Sequence, residues 1–192
     1  MSRVLRILLP AAVAALVFAH AGTAHAAGGS YKFDGGTAAQ RTQVRQALNA
    51  SSFNWNLVRK QIVIHVVRGE VSHSTPGEIW LDADLLDAGR FAWATVQDEF
   101  AHQVDFLVFT PEIRAELQRA LGAKAWCYEN VAVTAHGDQG CERFSSVLPW
   151  AYWQSGDNSY RPTSKTDESA AMAPAKFRAL LDRLMGGSTT RR

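Results

Sequence analysis

Asp98-Glu99-Phe100-Ala101-His102-Gln103-Val104-Asp105 is the stretch whose reading decides the fold. It lies inside a longer helical pattern over residues 88–109 that ends before Pro111. At about 100° per residue, Asp98, His102 and Asp105 fall on one side of that helix, with Glu99 at its border. Trp93, Val96, Phe100, Val104 and Leu107 gather on the other side. Charges opposite an apolar stripe are what an ordinary surface helix shows. The same i, i+4, i+7 spacing also lets side chains converge on one ion, so pattern alone leaves both readings open.

Upstream, residues 61–67 (QIVIHVV) are rich in β-branched residues and predict a buried strand, and residues 77–82 predict a second, shorter one. Residues 72–77 read as a turn or loop, with Pro76 excluding a central strand there. Residues 38–49 predict a helix capped by Thr37. Downstream, Thr110 is a cap and Pro111 suits the first turn of a helix over 112–121 that Gly122 stops. Residues 126–140 are loop-rich, and 142–153 predict a helix in which Pro149 is a point for a break or kink. An amphipathic helix over 173–185 closes the domain, and the tail 186–192 is expected to fray. Few strands followed mostly by helices predict a single α+β domain: a small twisted sheet, a central helix and a mostly helical C-terminal part.

Residues 1–26 read as a signal peptide: Arg3 and Arg6, then an apolar run over 7–19, then Ala24-His25-Ala26 as a small-x-small cleavage pattern. The run is short of the roughly 20 apolar residues a membrane span needs. The expected mature chain, residues 27–192, is secreted, is not held by a membrane and forms one domain. The full chain has 20 basic and 18 acidic residues, and removal of Arg3 and Arg6 leaves the two signs equal. The charge balance therefore gives no reason to expect a nucleic-acid or membrane-surface partner. Cys127 and Cys141 are the only cysteines, and an isolated pair outside the cytoplasm is expected to be a disulfide.

The 98–106 segment resembles the H-E-F-[AG]-H-x-[LV]-D helix of gluzincin-type zincin metallopeptidases, in the manner of anthrax lethal factor and the Mlc titration factor. In that group a later helix supplies a glutamate ligand in an E-x-F-A-like segment, which Glu142-Arg143-Phe144-Ser145 resembles. The resemblance covers residues 62–153 and includes 77–82 as the likeness of the edge strand that borders the cleft. It implies a zincin-like fold and one zinc ion held by Asp98, His102 and Glu142. Glu99 would be the general base acting on a metal-activated water. Asp105 would orient His102 or its helix from behind the ligands. A peptide or protein would be the substrate of a monomer.

Asp98 stands where the family has its first histidine. A carboxylate is a legitimate zinc ligand, but its oxygens lie nearer the helix axis, and the more anionic set admits Mn²⁺ or Ca²⁺. A variant zinc peptidase, a site for another divalent ion and an inactive zincin-fold binding protein all follow from that change. The family's tyrosine before the ligand glutamate is also absent from Val133-Thr134-Ala135-His136-Gly137. His136 is the catalytic candidate to stabilise a developing oxyanion, with Tyr152 as a weaker substitute.

Overall fold

The computed structural model describes residues 29–127, 135–187 and 189–191. The leader pattern of residues 1–26 lies outside the described residues. In chain order the elements are β1 (Tyr31–Gly35), α1 (Ala38–Ala50), β2 (Ile62–Val67), β3 (His73–Thr75), β4 (Glu78–Asp82), α2 (Ala83–Asp87), α3 (Trp93–Val108), α4 (Pro111–Ala120), α5 (Gly140–Tyr152) and α6 (Pro174–Leu184). This is a single α+β domain built on a mixed four-stranded sheet in the order β1-β2-β4-β3.

Strands β1, β2 and β4 are parallel, so the chain must cross over between the first two, and α1 is that crossover. Thr37 begins α1 with a reciprocal capping box: its hydroxyl accepts from the Gln40 amide, and the Gln40 side chain accepts from the Thr37 amide. Alternation in β2 and β4 sends Ile62, Ile64, Val66, Ile79 and Leu81 into the core. There they join Val44 and Leu48 of α1 and Val96, Phe100 and Val104 of α3. Phe100 sits at the centre, with Tyr31 and Trp55 meeting its ring edge-on. A second part of the same core forms where Phe144 of α5 packs on Phe109 and on Phe177 of α6.

Five expectations need correction. Residues 72–77 are not all turn: His73–Thr75 form β3, antiparallel to β4, and only Pro76 and Gly77 make the reversal. Consequently β3, not the 77–82 strand, is the edge of the sheet on that side. The long helix does not start at residue 88, because Gly89 takes φ +71° and residues 89–92 wind as a 3-10 turn before α3 begins at Trp93. Pro149 neither breaks nor ends α5. It lies in the last turn, where the helix has few hydrogen bonds left to lose, and its carbonyl accepts from the Trp153 amide and from Asn158.

The described part of the tail also packs instead of fraying. Thr189 is buried, its carbonyl accepts from the Asn54 amide at 2.8 Å, and its hydroxyl accepts from Tyr152 at 2.9 Å. Besides β3, two elements escaped the sequence pattern, β1 and α2. The first is an edge strand with only Tyr31 and Phe33 turned inward, and the second is a single turn and a half capped by Asp82. No helix among the described residues is long and apolar enough to cross a membrane.

Candidate metal centre and its cleft

The charged side of α3 does not face solvent. Asp98, Glu99, His102 and Asp105 are 8%, 5%, 9% and 0% exposed, so the ordinary surface-helix reading fails. The sheet edge covers one side of the helix: Ser74 of β3 donates its hydroxyl to Glu99 Oε2 at 2.8 Å, within reach of the Glu99 carbonyl at 3.0 Å. Gln103, one turn on, ties the β3–β4 reversal by accepting from the Gly77 amide and donating to the Thr75 and Glu78 carbonyls. Helix α5 covers the other side and brings Glu142 to His102, with Oε2 3.6 Å from Nε2.

Asp105 does not contact His102 by any hydrogen bond described. Its carboxylate accepts from Arg114 Nε at 2.6 Å and from Trp126 Nε1 at 3.1 Å. It therefore braces α3 against α4 and against the segment that carries Cys127. Cys127 and Cys141 are joined, as expected, with Cα atoms 5.5 Å apart. Both sulfurs lie against Glu142 Oε1, at 3.5 and 3.4 Å. These are packing contacts, since a disulfide sulfur carries no hydrogen to donate. Gly140 is required at this junction, because a Cβ there would overlap the Trp126 ring. The bridge thus fixes the first turn of α5 and the Glu142 carboxylate with it.

Among the described residues, two clusters have ligand atoms within 4.8 Å of one another: Asp98–Glu99–His102 and His102–Cys141–Glu142. Cys141 is spent in the disulfide, so the second reduces to His102 and Glu142, and His102 is the member that joins the two sets. His136 comes to the same place from its loop. Its Nε2 is 3.0 Å from Glu142 Oε2 and its Nδ1 is 2.8 Å from Glu168 Oε1, and Glu168 in turn accepts from Ser146. Both ring nitrogens of His136 are thus engaged by carboxylates, an arrangement that holds Glu142 in place.

Among the described residues, Tyr160 is the tyrosine that lines the cleft, and Tyr152 does not line it. Tyr152 is buried behind α5 with its hydroxyl on Thr189. Tyr160 lines the cavity with its phenol beside Asp98 and Thr95. Burial, with the Asp98 and Glu99 charges beside it, holds the Tyr160 phenol above its ordinary range, so it stays a donor. Neither Tyr160 nor Glu168 was singled out in the sequence. Both follow α5 in a stretch without helical or strand periodicity, and only the return of that stretch across α3 brings them in. The pairing of Tyr160-Arg161 with Pro162, a rigid turn signature, was the sole local hint.

The electrostatics of the centre are those of a group short of positive charge. Burial pushes the Asp98 carboxyl well above its ordinary range, with Glu142 and Glu168 adding to it and His102 opposing. Burial likewise raises Glu99, and the Asp98 charge raises it further. Burial works against a charged His102, yet the Glu142 carboxylate and Asp98 outweigh it and raise the imidazole to about 9. Burial works to raise Glu142, but the hydrogen bond to His102 lowers it overall. Asp98 Oδ1 is buried with no hydrogen-bond partner. A buried carboxylate oxygen left unsatisfied costs on the order of several kcal/mol unless a cation meets it. An imidazole and carboxylates beside that oxygen are donors suited to a divalent ion, so the residues present fit one.

This centre forms the floor of a cavity of about 1170 Å³, walled by β3, α3, the 136–142 segment and residues 159–169. Searches against protein-family models, curated proteins and solved structures return no match to this chain.

Proposed function

We propose that the chain is an exported, metal-dependent peptidase of the zincin kind, with the Asp98–Glu99–His102–Glu142 centre as its active site. The observation that carries this reading is the buried, unpartnered Oδ1 of Asp98 at the floor of an open cleft. The Cys127–Cys141 disulfide and the leader-like N-terminal sequence support export. Asp98, His102 and Glu142 are the residues that would hold a single zinc ion. Bound there, zinc would supply Lewis acidity towards a carbonyl oxygen and lower the pKa of water.

The remaining steps belong to the chain's own side chains. Glu99 takes a proton from the attacking water and returns it to the amine that leaves when the peptide C–N bond breaks. Ser74, anchored in the edge strand, aims that carboxylate by its hydrogen bond to Oε2. The Tyr160 hydroxyl is a donor beside the reacting centre, placed to meet negative charge as it develops on the substrate oxygen. His136 and Glu168 act together to hold Glu142.

The test is metal content followed by a single substitution. Purified mature protein is expected to carry about one zinc per chain, and Glu99→Gln is expected to retain that zinc while peptide cleavage falls by about 10² to 10⁴. Protein that takes up no zinc, manganese or calcium, and whose unfolding is indifferent to chelator, would sink the proposal. Zinc uptake without cleavage by the wild type, coupled with higher affinity in Asp98→His, would instead favour an inactive binding protein on the same fold.

A further inference from the structure

The cavity wall is crowded with carboxylates, and nearly every one has a donor of its own. Asp98 keeps one unpartnered oxygen with the Tyr160 phenol beside the carboxyl, Glu99 accepts from Ser74, and Glu142 lies against His102 and His136. Glu168 is met by His136 and Ser146, and Asp82 caps α2 through the Asp84 amide. Asp167 accepts from the amides of Thr163 and Ser164 and from both hydroxyls, so its charge is answered within its own loop.

Arg161 has no such complement. It lines the cavity as the one lysine or arginine among the described lining residues. Its side chain makes no ion pair or hydrogen bond among the described residues. By contrast, Arg114 pairs with Asp105 and Arg143 lies near Asp138, while Arg178 and Arg191 donate to backbone carbonyls.

The backbone that presents Arg161 is fixed. Asn158 is buried, and its side-chain amide donates to the carbonyls of Pro149 and Trp153 at the end of α5, at 3.1 and 2.8 Å. Its side-chain oxygen accepts from the Tyr160 amide at 2.9 Å, and its carbonyl accepts from the Arg161 amide at 3.0 Å. Pro162 restricts the next step. One turn, pinned to α5, therefore delivers Tyr160 to Asp98 and Arg161 to the cavity beside it.

We propose that Arg161 is the anion anchor of this cleft, binding a carboxylate of the peptide that lies over the Asp98–Glu99–His102 floor. Selectivity follows from the surroundings: carboxylates are spread over the rest of the wall, and Arg161 is the one guanidinium or ammonium among the described lining residues to set against an acidic substrate group. Adjacent Cα atoms lie about 3.8 Å apart, and an extended peptide advances roughly 3.4 Å per residue. Because Tyr160 touches the centre and Arg161 is its neighbour, the anchored carboxylate lies within about two or three residues of the scissile bond. The source is an acidic side chain at that position or the free C-terminus of a short peptide. This inference rests on the peptidase reading for its substrate, but the anchor itself is tested by binding.

The experiment uses zinc-supplied mature protein and matched peptides with Glu, Gln or Lys at each position flanking the cleavage site, each with a free or an amidated C-terminus. Both kcat/KM and calorimetric Kd are measured. Wild type is expected to favour a carboxylate-bearing peptide over its neutral match by about 10-fold in Kd, as a charge-assisted guanidinium pair allows. Arg161→Gln should erase the preference, and Arg161→Glu should turn it towards Lys, with zinc content and melting temperature as in wild type. Loss of affinity on Glu→Gln assigns the carboxylate to a side chain, and loss on amidation assigns it to the chain terminus. Wild type that binds all the peptides alike, or Arg161→Glu that leaves the ranking as it was, overturns the anchor. Cleavage without any carboxylate preference would remove the anchor and keep the peptidase. A carboxylate preference that Arg161→Glu reverses, with no peptide cut, would keep the anchor and remove the peptidase.

Discussion

Two histidines in this molecule sit among carboxylates at similar distances, yet only one of them marks a site. His65, on the outer face of the sheet, has Nδ1 3.0 Å from Asp34 and Nε2 3.7 Å from Glu78, while His102 has Nε2 3.6 Å from Glu142. The residue types and separations are alike. The surroundings are not: the Asp34 and Glu78 side chains are 71% and 47% exposed, against 20% for Glu142. Water reaches the Asp34 and Glu78 carboxylates of the first group, although His65 Nε2 is itself buried without a hydrogen-bond partner and the ring stacks on Trp80. Around His102, helices α3 and α5 and the sheet edge exclude water and leave a carboxylate oxygen of Asp98 without a partner. An unmet buried atom occurs in both groups; desolvation of the carboxylates themselves is what distinguishes the candidate centre from the surface ion pair.

That difference can be broken from the buried side first. Asp105 is fully buried and holds Arg114 and Trp126. Asp105→Ala strands the guanidinium, and removing one partner of a buried pair costs about 3–5 kcal/mol. Urea denaturation should show a loss of that size with little change in m-value. A loss below about 1 kcal/mol would mean that this face of α3 is wetter than its burial implies.

Asp98→Asn should act in the opposite direction on stability. Its carboxyl is raised in the folded state, so folding is favoured while it is protonated, and that contribution is lost as pH rises through the folded value of about 6. With metal stripped by chelator at pH 8, the asparagine variant is therefore expected to be more stable than wild type by about 1–2 kcal/mol, the usual gain from relieving a strained functional site. Zinc affinity should fall at least about 10-fold in the same variant. An asparagine variant that loses stability in chelator and keeps wild-type zinc affinity would remove Asp98 from the metal set.

Much of the scaffold was legible because its signals are local. Thr37, Thr110 and Pro111 announce helix starts through their own chemistry, and Ile62–Val67 announces a strand through β-branching. The pair His102 and Glu142 was legible through the motif pattern, and the structure brings the two together. What escaped was what depends on tertiary return. The burial of the polar side of α3 has no signature in its periodicity, because α5 and the 159–169 segment impose it from elsewhere in the chain. Tyr160, Arg161 and Glu168 lie in that non-periodic segment, and the partners of Asp105 come from α4 and from Trp126. Strand β3 was hidden because three residues on a sheet edge need only pair, not alternate.

The smallest expected effect completes the comparison from the exposed side. Asp34→Ala removes the nearer of the two carboxylates beside His65 and leaves Glu78 in place. Exposed ion pairs contribute about 0–1 kcal/mol, since water and salt replace the lost partner. Denaturant titration should therefore find a change below about 1 kcal/mol that shrinks further in high salt. A loss approaching that of Asp105→Ala would show that the outer sheet face is covered in solution. The contrast between the two histidines would then vanish, and the outer group would have to be weighed as a second centre.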